Sequence, residues 1–414
     1  MVNRIYGLLG QKLRHSWSVP IHQAVGNPAY RLIEMEPDRV PDFLRRGDIG
    51  GLNVTIPYKR SVLALCDHVD PSALEIGSVN TLVRRSDGKL YAWNTDITGF
   101  QFMVRRAGIE LHGRKVSILG TGGTSLTAQA AARTLGAREV VTISRSGENN
   151  YGNLARHADT EILINTTPVG MYPNTGAAPV DLRDFSACRG VLDVIYNPMR
   201  TALLLQAETL GIPCSDGLPM LVAQAIASEE LFFDRAIPES ENERILSMLR
   251  RDSTNIVLIG MPGCGKSAVG KRLAALTGRE VIDLDRSIVQ AAEMSIPEIF
   301  ARDGEAEFRR MEHAAAQQYG RESGKIIVTG GGIVKDFRNY AALHQNGRIY
   351  YLDRLLDRLD REGRPLSQGT DLAAMAVERA PLYARFRDAV IDNNGSMEEA
   401  AEAIRKEFFQ SLLI

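Results

Sequence analysis

Gly260-Met261-Pro262-Gly263-Cys264-Gly265-Lys266-Ser267 fills every fixed position of G-x-x-x-x-G-K-[ST]. The apolar run at 255–259 before it reads as a buried parallel strand, and 268–276 after it carries helical apolar spacing closed by Thr277-Gly278. Strand, loop and helix in that order are the context the motif requires. Its glycines let the backbone close around phosphate oxygens, Lys266 reaches the β and γ phosphates, and Ser267 offers a hydroxyl to Mg²⁺. With glycine at about 7% of residues, a chance match is expected in only about one or two chains in a hundred of this length. The stretch predicts a phosphate-binding α/β domain.

The chain around it has 414 residues and a formal net charge of −1, enough length for two to four domains and no basic excess for a nucleic-acid or membrane-surface partner. Cys66, Cys188, Cys214 and Cys264 stand in no metal-ligand spacing and read as reduced thiols. No charged-then-apolar leader follows Met1, and no apolar run approaches bilayer length. A soluble, cytoplasmic protein is expected.

Upstream of the loop, strand-like and helix-like runs alternate in the α/β pattern. Polar residues follow the early strands: His15-Ser16-Trp17-Ser18, Thr55 with Lys59, Asn80-Thr81, and Asn94-Thr95-Asp96. Sheets of this kind gather a ligand at such strand ends. A new strand at 114–119 leads into Gly120-Thr121-Gly122-Gly123-Thr124-Ser125 and a helix, a dinucleotide-type turn with Ser125 in place of the third glycine. The next strand ends at Ser144-Arg145-Ser146 with no carboxylate before Glu148, which favours NADP over NAD. Asp216-Gly217 opens an apolar helix that carries Gln224, and an amphipathic helix at 239–250 is followed by the linker Arg251-Asp252-Ser253-Thr254.

Downstream, 280–284 reads as a strand that delivers Asp283 and Asp285 to one face by its alternation. Beside a phosphate loop such a pair serves Mg²⁺ and a hydroxyl acceptor. Arg309 follows on a helix, Gly330-Gly331-Gly332 end a strand, and Arg358, Arg361 and Arg364 stud a polar stretch running to Gly369, a candidate lid. Arg379 is expected near the start of a helix.

These words, in this order, resemble two families. Met1 to about Asp252 is similar to shikimate dehydrogenase: His15-Ser16-Trp17-Ser18, Asn53-Val54-Thr55-Ile56-Pro57-Tyr58-Lys59, Val79-Asn80-Thr81, Asn94-Thr95-Asp96, Gly120-Thr121-Gly122-Gly123, Ser144-Arg145-Ser146, and Asp216-Gly217 through Gln224. Ser253 to the end resembles shikimate kinase: the phosphate loop, Asp283-Leu284-Asp285, Phe308-Arg309, Gly330-Gly331-Gly332, Arg364-Pro365-Leu366, and Glu378-Arg379-Ala380-Pro381-Leu382-Tyr383. The resemblance implies an α/β substrate domain (1–100 with 217–252), a Rossmann-like dinucleotide domain (101–216) and a P-loop, nucleoside-monophosphate-kinase-like α/β domain (253–414). It implies two consecutive steps on the route to chorismate, with NADP(H), ATP and Mg²⁺ as cofactors and 3-dehydroshikimate and shikimate as small-molecule substrates. Self-association into a homo-oligomer is left open.

By the first resemblance, Ser16 and Ser18 hold the substrate carboxylate, Thr55, Asn80, Asp96 and Gln224 hold ring hydroxyls, Tyr196 lies near the substrate, and Lys59 with Asp96 forms the catalytic pair. Gly120, Gly122, Gly123, Ser144, Arg145 and Gly217 serve the dinucleotide, while Leu126 stands where relatives often carry a basic residue. By the second, Gly263, Gly265, Lys266 and Ser267 hold ATP, Ser267 and Asp283 serve the metal, and Asp285 orients the attacking hydroxyl. Arg309, Arg379 and the Gly331 backbone fix the carboxylate, and Arg364 closes on the transferring phosphoryl group; Arg358 or Arg361 stacks on adenine. Two other readings compete: an NAD-dependent quinate/shikimate dehydrogenase fused to the same kinase, and a non-catalytic metabolite sensor. A sensor should have lost Lys59, Asp96, Lys266 or Asp285, and all four are present.

Overall fold

The computed structural model of the chain describes residues 4–13, 16–360 and 372–412. It divides into two compact units, Met1–Met171 with Ala177–Leu246, and Tyr172–Gly176 with Ser247–Ile414.

The first unit holds two sheets. One contains β1 (Ile5–Gly10), β2 (Tyr30–Glu34), β3 (Ile49–Val54), β4 (His68–Val69), β5 (Thr81–Arg84) and β6 (Leu90–Trp93), in the order β2-β1-β3-β5-β6-β4. β1 pairs in parallel with β2 and β3, whereas β5 runs antiparallel to both β3 and β6. This mixture positions the site. Register sets Asn53 opposite Thr81 and Thr81 opposite Trp93, so the end of β3, the start of β5 and the end of β6 share one edge. The words around Asn53, Asn80 and Asn94 meet there although up to forty residues of chain separate them.

The second sheet is wholly parallel: β7 (Lys115–Leu119), β8 (Glu139–Ile143), β9 (Ile162–Asn165), β10 (Gly190–Asp193) and β11 (Cys214–Ser215), ordered β11-β10-β9-β7-β8. β7, β9 and β10 are buried along their whole length, as apolar strands covered on both faces must be. Chain order reverses beside β7, which marks a crevice at its carboxyl end. The two-residue strand β11 carries no apolar run and escapes a sequence reading.

The second unit is built on β12 (Asn255–Ile259), β13 (Val281–Asp283), β14 (Ile326–Val328), β15 (Gly347–Asp353) and β16 (Ala389–Asp392), all parallel, ordered β13-β14-β12-β15-β16. The central strand β12 is fully buried and leads directly into the phosphate loop.

Three local expectations need correction. Arg251, Asp252 and Ser253 are not linker: they form the last turn of the helix Ser240–Ser253, where the Ser253 hydroxyl bonds back to Leu249 O at 2.8 Å. Asp285 is not on a strand. β13 stops at Asp283, whose carboxylate accepts from Arg286 N at 3.2 Å and so caps the helix Leu284–Ala292, leaving Asp285 in its first turn. Arg379 lies in the middle of the helix Leu372–Phe386, which continues through Pro381. Among the described residues no helix is long and apolar enough to cross a membrane.

Candidate active sites

In the first unit, Lys59 lies beyond the end of β3 and Asp96 opens the helix Asp96–Arg106, where a carboxylate is favoured by the N-terminal dipole. Lys59 Nζ meets Asp96 Oδ2 at 2.5 Å with the two side chains 18% and 10% exposed, a pair open enough to reach a ligand and buried enough to avoid full screening. Asn80 Nδ2 donates to Asp96 Oδ1 at 2.9 Å and lies 3.3 Å from Gln224 Oε1, so four expected residues converge. Gln224 comes from the helix Leu218–Phe233 and is held by its own Nε2 donating to Leu221 O at 2.8 Å.

Ser16 Oγ donates to Ser18 Oγ at 3.1 Å and accepts from Ser18 N at 3.2 Å, at the entry to the helix Ser18–Ala24. Trp17 meets Tyr196 edge-on at 6.3 Å between ring centroids, which brings Tyr196 to the serines, and burial pushes the Tyr196 phenol pKa up. Thr55 stands at the carboxyl end of β3, where it packs beside Gly10 of β1. His15 lies outside the described residues.

At the crevice beyond β7, Gly120 has φ +105°, and Ser125 clamps the turn by donating to Gly120 O at 2.7 Å. This explains why serine serves there in place of a third glycine. A Cβ on Gly122 would meet nothing within 4 Å, so the helix Gly123–Thr134 presents its first N–H groups to open space, a fit for a pyrophosphate. Ser144 and Arg145 follow β8; Arg145 is exposed and Ser144 Oγ donates to Ser146 O, tightening that turn. Gly217 has a different steric duty: a Cβ there would lie 2.1 Å from Val194 O.

In the second unit a cleft of about 1220 Å³ gathers the remaining candidates that lie among the described residues. Gly263 and Gly265 take φ +84° and +91°, and Lys266 Nζ donates to Gly260 O at 2.9 Å and Met261 O at 3.1 Å. Those carbonyls occupy the kind of acceptor positions that phosphate oxygens supply. Ser267 Oγ donates to Asp283 Oδ2 at 3.0 Å, a hydroxyl and carboxylate pair of hard oxygens suited to Mg²⁺.

Each of the three adjacent glycines makes room for a different group. A Cβ on Gly330 would lie 2.6 Å from Asp285 Oδ1, one on Gly331 2.7 Å from the Pro262 ring, and one on Gly332 2.4 Å from the Arg309 guanidinium. Gly331 O accepts from Arg379 Nη1 at 3.0 Å and from Tyr383 Oη at 2.6 Å. Arg358 donates to Asn394 O, while Arg361 and Arg364 lie outside the described residues.

The structure adds residues that sequence reasoning missed. Arg309 Nη1 donates to Glu312 Oε2 at 2.7 Å, and Glu312 lines the same cleft. Burial, opposed by Arg309, raises the Glu312 carboxyl pKa to about 6; for Arg309 burial is outweighed by Glu312 and Glu305, which raise its pKa. An i, i+3 spacing on the helix was the available signal. Asp193 ends β10, accepts from Thr201 Oγ1 at 2.7 Å and Ile195 N at 3.0 Å, and so fixes the turn that carries Tyr196; burial raises its pKa to about 6. His22, which fits no ligand spacing in sequence, bonds Glu229 through Nδ1 at 2.5 Å, and both side chains are fully buried.

Residues 8–82 match the family model of the shikimate dehydrogenase substrate-binding domain, and residues 262–409 match that of shikimate kinase. A shikimate dehydrogenase (NADP(+)) of Clostridium perfringens is 34% identical over 268 residues, 60% of this chain and 98% of that protein. Among solved structures, a chorismate mutase/shikimate 5-dehydrogenase fusion from Clostridium acetobutylicum aligns at a TM-score of 0.57 with 33% identity, over 60% of this chain and 97% of that one. Shikimate 5-dehydrogenase from Thermus thermophilus in complex with NADP(H) and shikimate aligns at 0.53 with 28% identity, over 58% and 97%.

Proposed function

We propose a function from this premise: the chain belongs to the shikimate dehydrogenase family through its N-terminal part and carries a shikimate kinase domain after it, a bifunctional enzyme of the shikimate pathway. The first unit reduces 3-dehydroshikimate to shikimate with NADPH, and the second phosphorylates shikimate to shikimate 3-phosphate with ATP. The observation that carries the reading is the Lys59–Asp96 pair, fixed at 2.5 Å with Asn80 and Gln224 beside it.

When bound, NADPH supplies a hydride, and ATP with Mg²⁺ supplies the phosphoryl group. Hydride arriving at a ketone leaves negative charge on its oxygen, and a positioned proton donor must meet it. Lys59 Nζ is that donor, and Asp96 holds the ammonium in place while accepting from a neighbouring ring hydroxyl. Ser16 and Ser18 hold the carboxylate, and Thr55 and Gln224 the remaining hydroxyls. The Gly122 turn and the following helix take the pyrophosphate, and Arg145 takes the 2′-phosphate.

In the second unit Lys266 would hold the phosphates, and Ser267 with Asp283 would hold the metal. Asp285 orients the attacking hydroxyl, and Arg309 and Arg379 grip the carboxylate, since a planar guanidinium fork suits that anion. Arg364 neutralises charge on the transferring group. With these roles goes a three-part division at 1–100 with 217–252, 101–216, and 253–414.

The test is a two-substrate assay on the purified chain, following NADPH oxidation with 3-dehydroshikimate and ATP-dependent phosphorylation of shikimate, with NADH and quinate as controls. Lys59→Ala is expected to lower the first activity at least about a hundredfold and spare the second, and Lys266→Ala the reverse, as losses of single positioned charges. A wild-type chain that binds both ligands and turns over neither overturns the reading; faster turnover of quinate with NADH reassigns the first site.

A further inference from the structure

Beneath the Lys59–Asp96 pair lies a cluster of polar side chains closed to solvent: Tyr30, Asn53, Thr81, Thr95 and Ser228, all buried. The proposed chemistry gives them no direct part. One line of their hydrogen bonds, through Tyr30, Asn53 and Thr81, nevertheless leads towards Asp96, while the Ser228 hydroxyl gives its proton to Gln224 O at 2.9 Å.

Tyr30 Oη donates to Asn53 Oδ1 at 2.8 Å, which turns the Asn53 amide nitrogen inward. That nitrogen donates to Ser228 Oγ at 2.8 Å and lies 3.3 Å from Thr81 Oγ1. The hydroxyls of Thr81, Thr95 and Ser228 sit 2.9 to 3.0 Å from one another, each with a single proton to give. Next comes Asn80. Its Oδ1 accepts from Thr95 N at 2.7 Å, from Thr81 Oγ1 at 3.0 Å and from Thr95 Oγ1 at 3.1 Å. With three donors on its oxygen, the amide presents Nδ2 to Asp96 Oδ1. Flipping it would set N–H against N–H at Thr95 and carbonyl against carboxylate at Asp96, two unmade bonds in a buried site.

The far end of the series is also pinned. The Tyr30 ring stacks on His22 at 3.6 Å, and His22 bonds Glu229, which also accepts from Asn27 Nδ2 at 2.8 Å. Burial and the Glu229 carboxylate hold the Tyr30 phenol well above its ordinary pKa, so it stays a donor across the working range. Burial also lowers the pKa of His22.

We infer that Tyr30, Asn53 and Thr81 are positioning residues of the dehydrogenase reaction, a directed series of hydrogen-bond donors that fixes which end of the Asn80 amide faces Asp96. The inference rests on the dehydrogenase reading above. Its effect falls on the chemical step, because a turned Asn80 amide repels the carboxylate that holds Lys59 in line.

The experiment uses the full chain and three variants. Thr81→Val removes one donor to Asn80 with little change of shape and is expected to lower kcat for 3-dehydroshikimate about tenfold, the weight of one buried hydrogen bond. The KM for NADPH stays unchanged, and the kinetic isotope effect with C4-deuterated NADPH rises as hydride transfer becomes slower than the surrounding steps. Thr81→Ser restores kcat to within about twofold, because it restores the hydroxyl. Phosphorylation of shikimate by the same preparations stays at the wild-type rate. If Thr81→Val does not fold, Tyr30→Phe carries the test: it deletes one oxygen, frees Asn53 to turn, and is expected to slow kcat several-fold with the same rise in isotope effect.

Unchanged kcat in Tyr30→Phe, failure of Thr81→Ser to rescue Thr81→Val, or a loss confined to KM overturns the inference. An inactive wild-type chain sinks the functional reading and this inference with it; an active wild type whose variants match it sinks the inference alone.

Discussion

Glu312 shows how one buried carboxyl ties stability to pH. Its side chain is 1% exposed, and burial lifts its pKa from the ordinary 4.5 to about 6 against the pull of Arg309. Between those values the folded chain binds more protons than the unfolded one, so stability falls as pH rises through the window. Integrated over the shift, the loss is about 2 kcal/mol. Urea unfolding of the kinase unit at pH values from 4 to 7 is expected to show the wild type losing about that much relative to Glu312→Gln, which cannot ionise. Parallel curves would mean that Arg309 offsets burial in full, so that the group titrates alike in the folded and unfolded chain. At this scale the sequence was a partial guide. Lys59, Asp96, Lys266 and Asp285 stand in words legible by themselves, whereas His22 and Glu229 are 207 residues apart and only folding brings them together.

Asp283 belongs to the scale of the element, because it caps a helix and, in the function proposed above, also serves the metal. As N-cap of the helix Leu284–Ala292 it accepts from Arg286 N, and its other oxygen accepts from Ser267 Oγ. The two duties separate by substitution. Asp283→Asn keeps a good cap and is expected to hold stability to within about 0.5 kcal/mol while phosphorylation falls and its Mg²⁺ requirement rises. Asp283→Ala loses both and is expected to cost about 1 kcal/mol of stability as well. Thermal unfolding of the two variants beside Mg²⁺ titrations of their activity checks this, and equal activity in Asp283→Asn and wild type would remove Asp283 from the metal site. The same element shows where pattern reading fails. Leu284 continues the apolar run of β13, so alternation places Asp285 on the strand, and only the capping bond from Asp283 reveals that the chain has already begun to coil. Pro381 misleads in the other direction: proline favours a helix start, yet the helix Leu372–Phe386 runs on through it.

For the whole molecule, alternating strands and helices predicted α/β architecture, and three sheets are present among the described residues. Strand order was not legible, since it depends on which apolar faces meet rather than on any local run. One antiparallel pair of the mixed first sheet, β5 with β6, follows from the Asp87-Gly88 hairpin, a signal the sequence did carry. Two compact units with separate ligands imply separate linkage of stability to binding. NADPH at about a hundred times its Kd is expected to raise the unfolding transition of the dehydrogenase unit by the equivalent of about 2.7 kcal/mol, and ATP that of the kinase unit. Differential scanning calorimetry of the full chain with each ligand in turn checks this, and a single transition moved equally by both ligands would show the units to unfold as one.

The run Gly330-Gly331-Gly332 has a consequence for chemical intervention. An inhibitor resting on this wall meets main chain, and a mutation that grows a side chain there to exclude it must first push into Asp285, Pro262 or Arg309. Given the roles proposed for Asp285 and Arg309, resistance by that route is expected to disarm the enzyme it protects.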